Sequence, residues 1–112
     1  MIVTIWRHGE AGSAPSDEQR ELTATGTDDV GYGCHQFHDI CHGRSLPHPD
    51  LILHSRWTRT TQTAEILATA YLQSPFYQAA AEYTLQISAP GMDQAMYFAD
   101  CFTRARSFHP FF

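Results

Sequence analysis

Met1-Ile-Val-Thr-Ile-Trp-Arg-His-Gly-Glu10 opens the chain and decides its fold class. Residues 2–6 are apolar, β-branched or aromatic types that pack well on a pleated, buried surface, and the run has the length of a strand rather than a helix. It stops abruptly at a cation, an imidazole and a glycine. In open α/β sheets, ligands bind just outside the carboxyl end of a central strand, so Arg7, His8 and Gly9 stand at a candidate site.

Around this strand the chain has 112 residues, enough for one domain, residues 1–112, but short for an α/β sandwich. A hydrophobic content of 43% and a charged content of 17% describe an ordinary globular chain. No apolar run has the length of a membrane span, and Met1 leads into the strand without a cationic leader or cleavage site. The expected location is the cytoplasm. Cys34, Cys41 and Cys101 are an odd number at unremarkable spacings, which argues against a disulfide framework. A formal charge of -5 argues against nonspecific nucleic-acid binding. All seven fixed cations are arginines, so each can make the two-pronged contact that suits phosphate.

Residues 11–19 read as a loop, because Gly12, Ser13, Pro15, Ser16 and Asp17 are turn formers without an apolar period. Thr23 is a natural N-cap for a helix expected over 27–42, whose propensity Gly26, Gly31 and Gly33 lower. Pro47 and Pro49 mark the connection to a second short buried strand at 50–54. A helix follows over 55–72, then a turn at 73–77 and a segment at 79–85 leading to a loop that ends near Pro90-Gly91. Met92, Ala95, Met96 and Ala99 recur at helical spacing, so 91–106 reads as a last helix. No β-branched strand is legible between it and the terminal Ser107-Phe-His-Pro-Phe-Phe112.

Cys34-His-Gln-Phe-His-Asp-Ile-Cys-His42 raises a metal question. On a helix, His35, His38 and His42 fall at i, i+3 and i+7, with Cys34 and Cys41 on neighbouring rows. Structural zinc sites usually draw paired ligands from two separate elements, and no second pair follows here. The expectation is no native metal, with a metal-binding module as the weaker alternative.

Three segments in fixed order carry a family resemblance: strand-Arg7-His8-Gly9, then Arg20-x-Leu22-Thr23-x-x-Gly26, then Ser55-x-x-x-Arg59-x-x-Gln62-Thr63. Together they resemble the histidine phosphatase superfamily, the phosphoglycerate mutase-like clan, and within it the phosphohistidine phosphatase branch of SixA type. Arg56 stands where the family commonly has proline, a residue that preorganises the first helical turn without supplying chemistry. The resemblance implies a three-layer α/β fold with a mostly parallel sheet flanked by helices. It implies that His8 is the nucleophile, forming a phosphohistidine that water then hydrolyses. Arg7 and Arg59 would neutralise the phosphoryl oxygens, with Gly9, Arg20 and Ser55 lining the phosphate site. Read from the residues alone, Arg20 is equally well a solvated loop charge. No metal or other cofactor is required.

In mutase-like members a glutamate near the third loop protonates the leaving oxygen. Glu82 is the nearest carboxylate, and it reads as an ordinary surface charge. The phosphohistidine branch lacks that acid, since imidazole leaves phosphorus more readily than an alkoxide does. The family next requires a strand closing on a second histidine. His109 in Ser107-Phe-His-Pro110 is the candidate, although no strand precedes it. The expectation is therefore a family domain cut short, lacking the C-terminal strand and helix region, with a second copy covering the exposed sheet edge as a homodimer. The expected partner is a phosphorylated small molecule or a phosphohistidine protein, with neither nucleic acid nor membrane. Two functions follow: a phosphohistidine or phosphomonoester phosphatase, or a degenerate family member that binds phosphate without turnover.

Overall fold

A computed structural model of the chain describes residues 2–73, 85–88 and 107–111. Strand β1 (Ile2–Trp6) is followed by a single 3-10 turn (Asp17–Gln19), helix α1 (Ala24–Gly43), strand β2 (Leu51–Leu53), helix α2 (Thr58–Leu72), strand β3 (Gln86–Ser88) and strand β4 (Ser107–Phe111). The fold is mixed α/β, and both described strand pairings are parallel, as the fold class requires. The expected helix at 91–106, Glu82 and Cys101 lie outside the described residues. The chain divides into two units, Met1–His8 with Pro90–Phe112 and Gly9–Ala89.

In the first unit β1 pairs in parallel with β4, Ile2 opposite Ser107 and Trp6 opposite Phe111. This corrects the expectation that no strand forms at the end of the chain. Phe108 and Phe111 are aromatic types that suit strands as well as β-branched residues do, whereas Pro110 lacks a ladder donor and disguises the segment. Consequently β1 finds a strand partner in its own chain. Only Val3 of β1 is buried; Ile2 and Ile5 keep 42% and 41% of their surface exposed.

In the second unit α1 packs on α2. Val30 and Cys34 are the buried apolar side chains of one helix, and Ala64, Leu67, Ala68 and Tyr71 those of the other. The i, i+3, i+4 and i+7 spacing of the second set is what an amphipathic helix presents to a core. Helix α1 starts where its cap dictates: the Gly26 amide donates to Thr23 Oγ1 at 2.9 Å. Helix α2 starts at Thr58, three residues later than its sequence motif. There the Thr60 hydroxyl donates to Ser55 O at 3.0 Å and to Trp57 O at 2.9 Å, holding Ser55-Arg-Trp57 as a bent lead-in. Strand β2 pairs in parallel with β3, Ile52 opposite Ile87, and the Gln86 and His54 amides extend the ladder to Asp50 O and Ser88 O. Strand β3 has no counterpart in the sequence reading, since Gln86-Ile-Ser88 carries one β-former in three residues.

Candidate functional site

In the second unit Gly9 and the second and third sequence motifs are joined by hydrogen bonds. The Gly9 amide donates to Thr63 Oγ1 at 3.3 Å, and that hydroxyl donates to Arg59 O at 2.8 Å. The Leu22 amide donates to Gln62 Oε1 at 2.7 Å. Glu10 closes the set, because its carbonyl accepts from the Thr23 amide at 2.9 Å and its carboxylate from the Thr23 hydroxyl at 2.6 Å. Gln62 and Thr63 therefore fix the chain that follows His8 and the chain that follows Arg20. Their spacing in the motif is a requirement of assembly.

Close approach of two backbones tightens this junction. A Cβ on Gly9 would stand 2.7 Å from Gly26 O and 2.8 Å from Val30 Cγ2. One on Gly26 would overlap the Glu10 carbonyl oxygen and stand 2.8 Å from the Glu10 amide nitrogen. Glycine at both positions lets the segment after His8 cross the first turn of α1.

Arg59 sits in the first turn of α2 and is buried, an uncommon place for a charge unless it has partners. Its Nη1 donates to Asp17 O at 2.7 Å, its Nη2 to Asp17 Oδ2 at 3.3 Å, and its guanidinium carbon lies 4.5 Å from the centre of the Trp57 ring. Arg20 meets the same aspartate, Nη1 donating to Asp17 Oδ1 at 3.0 Å, while its Nε and Nη2 donate to Gly12 O at 2.7 Å and Ala11 O at 3.2 Å. Arg20 thus braces the 11–20 loop by its backbone and joins Arg59 through one carboxylate. Bonding to Arg20 and Arg59 holds the Asp17 carboxyl below its ordinary range. Neither Asp17 nor Trp57 is singled out by the sequence motifs; the only signal for Asp17 is its place three residues before Arg20.

Ser55 Oγ lies 2.5 Å from Thr60 Oγ1 at the approach to α2. Arg7 and His8 belong to the first unit, where they follow β1 directly, Arg7 exposed and His8 half-buried. His109 is placed by its backbone alone. It pairs with Thr4, four residues before His8, a separation of roughly 13 Å along a strand at about 3.3 Å per residue.

The histidine-rich face of α1 has a different environment. The His38 ring packs at 5.5 Å from the Tyr71 ring of α2 and 6.1 Å from the His48 ring. Burial raises the Cys41 thiol pKa, against the pull of Arg44, and pushes Cys34 up to about 11, so the charged thiolate is disfavoured at both. Among the described residues no three histidine, cysteine or acidic side chains are gathered to hold a metal.

Burial, followed by repulsion from His48, and with weaker contributions from His42 and His35, lowers the His38 pKa below 6.5; Asp39 opposes the shift. The folded state therefore favours neutral His38. Its contribution is intact above about pH 6.5 and is lost as pH falls below that value, because the unfolded chain binds the proton more readily. Urea midpoints taken between pH 7.5 and 5.5, roughly one unit either side of the free imidazole value, are expected to fall. The His38→Gln variant is expected to show a shallower fall, and equal slopes would refute the assignment.

No family model matches the chain, and no curated protein matches it in sequence. Solved structures do. Phosphohistidine phosphatase SixA from Nakamurella multipartitia superposes with a TM-score of 0.53 at 21% identity over 92% of this chain and 53% of that one. A protein histidine phosphatase SixA complexed with tungstate gives 0.51 at 20% identity, over 97% and 65% of the two chains. SixA from Agrobacterium tumefaciens gives 0.54 at 19% identity, over 97% and 64%. The chain thus spans between 53% and 65% of the length of these structures. The α/β arrangement with parallel strand pairs is similar to that of these solved structures. More narrowly, the chain carries a SixA-like fold. Among the described residues no helix is long and apolar enough to cross a membrane.

Proposed function

We propose that this chain is a phosphatase acting on phosphohistidine through a phosphohistidine intermediate of its own. The observation that carries the reading is Arg59: a buried guanidinium in the first turn of α2, held in the Ser55-x-x-x-Arg59-x-x-Gln62-Thr63 motif of a SixA-like fold. Arginine presents paired donors matched to phosphoryl oxygens, and a largely desolvated site strengthens each contact. One similar structure is complexed with tungstate, a tetrahedral oxyanion like phosphate.

In this reading a His8 ring nitrogen attacks phosphorus and the substrate imidazole departs. Water then attacks the His8 phosphoryl group and releases inorganic phosphate, returning His8 to its starting state. Arg7 and Arg59 neutralise the charge on the phosphoryl oxygens, and Gly9, Arg20 and Ser55 are the further phosphate-binding residues that the motif resemblance implies, because phosphoryl transfer depends chiefly on positioning and charge stabilisation. His109 is the candidate for the family's second histidine. A phosphohistidine protein is the partner that fits this chemistry, and the cytoplasm is the compartment.

Binding without turnover is the second reading, since a buried arginine such as Arg59 can hold an oxyanion whether or not His8 reacts. Phosphate release from a phosphohistidine peptide separates the two. The unaltered chain is expected to turn over, and Arg59→Ala to lose about a hundred- to a thousandfold, the size of effect seen when one charge-stabilising donor is removed. Calorimetric binding of inorganic phosphate without release would select the second reading, and neither binding nor release by a folded chain would discard both.

A further inference from the structure

We propose that the Asp17 carboxylate is a built-in occupant of the two-arginine site, holding Arg59 until a phosphate group displaces it. The inference rests on the phosphatase reading and adds a regulatory element to the same site.

Asp17 meets the two guanidiniums from one position, Oδ1 at 3.0 Å from Arg20 Nη1 and Oδ2 at 3.3 Å from Arg59 Nη2. A carboxylate bridging two arginines presents its oxygens where a phosphoryl group would present two of its own. Access decides the consequence. The Arg59 side chain is 10% exposed, whereas that of Asp17 is 55% exposed, so the aspartate stands on the solvent side of this contact. An incoming anion that takes up Arg59 Nη2 must compete with Oδ2.

The geometry also permits the exchange without dismantling the loop. Arg59 Nη1 is bonded to the main-chain oxygen of Asp17, an anchor that persists when the side chain turns away. Oδ1 keeps Arg20, and Arg20 keeps Gly12 O and Ala11 O. Of the two ion pairs that Asp17 makes, the longer, to Arg59 Nη2, is the one that breaks. A phosphate dianion brings more charge and more acceptor oxygens than a carboxylate, so it can win this contact where a monocarboxylate or chloride gains nothing. The expected result is a site that discriminates against weak anions and binds phosphate less tightly than its arginines alone would allow.

Calorimetric titration with inorganic phosphate tests this on the full chain. Asp17→Asn, nearly the same shape and retaining the main-chain anchor, is expected to bind phosphate about two- to fivefold more tightly, the effect of releasing one exposed ion pair. In the Arg59→Gln background the same substitution is expected to give no gain. In the unaltered chain, phosphate is expected to shift the Asp17 carboxyl carbon resonance, a readout that needs no variant to fold. Unchanged or weaker binding by Asp17→Asn, or a stationary Asp17 resonance while phosphate binds, would overturn the internal occupant and leave the phosphatase reading standing. Equal binding by the unaltered chain and Arg59→Gln would remove Arg59 from the phosphate site and overturn both.

Discussion

Gly26→Ala is expected to destabilise the chain by about 3 kcal/mol, the upper end of what overpacking a close contact costs. The sign is notable because alanine in place of glycine inside a helix ordinarily stabilises by about 0.5–1 kcal/mol through reduced backbone freedom in the unfolded chain. At Gly26 the new methyl group meets the carbonyl oxygen and amide nitrogen of Glu10, backbone atoms that cannot rotate away as a side chain would. Relief requires moving either the first turn of α1 or the segment after His8. The segment cannot move alone: the Glu10 carbonyl accepts from the Thr23 amide at 2.9 Å, and the Gly9 amide is bonded to Thr63. Gly31→Ala supplies the internal control, since a Cβ there meets nothing within 4 Å in the same helix. Urea unfolding followed by helical circular dichroism is expected to move the two midpoints in opposite directions, Gly26→Ala down and Gly31→Ala up. A common direction would mean that helix propensity, and not the crossing at Glu10, governs position 26.

This crossing also shows what the sequence can and cannot disclose. Thr23 is legible as a cap because its function is local, a hydroxyl three residues from the amide that it serves. Strand β1 and helices α1 and α2 are legible for the same reason, as each declares itself by composition and period within a few residues. Gly26, by contrast, reads as a cost to helix formation until Glu10 is seen against it. Asp17 is similar: in sequence it is a loop acid near Arg20, and its bond to Arg59, 42 residues away, is a product of folding. The short strands are hidden by another cause. Gln86-Ile-Ser88 carries little intrinsic strand signal and Pro110 masks that of Ser107-Phe-His-Pro-Phe111, so pairing with β2 and β1 selects them. The chemical candidates were the most accessible part, because the Arg-His-Gly, Arg-x-Leu-Thr and Arg-x-x-Gln-Thr segments keep their order whatever joins them. What those segments do for each other, with Gln62 holding Leu22 and Thr63 receiving Gly9, required the structure.

His8→Ala is expected to abolish phosphohistidine turnover, by about three orders of magnitude or more, as removal of a covalent nucleophile does. The substitution leaves the Gly9-Thr63 and Glu10-Thr23 bonds in place, and a thermal melt of the variant beside the unaltered chain checks that the fold is retained. Loss of activity with a retained fold separates chemistry from assembly. Covalency gives a second, independent sign. Incubation with a labelled phosphohistidine peptide followed by rapid alkaline quench is expected to trap label on the unaltered chain, since phosphohistidine survives base and is lost in acid. The label should map to His8 and be absent from His8→Ala. Arg59→Ala should form the same adduct slowly, because it weakens charge stabilisation while leaving the nucleophile in place. His109→Ala tests the second-histidine role: slower labelling is expected, and an unchanged rate would remove His109 from the site. Full turnover by His8→Ala, or label found on another residue, would remove the covalent mechanism from this chain whatever its fold.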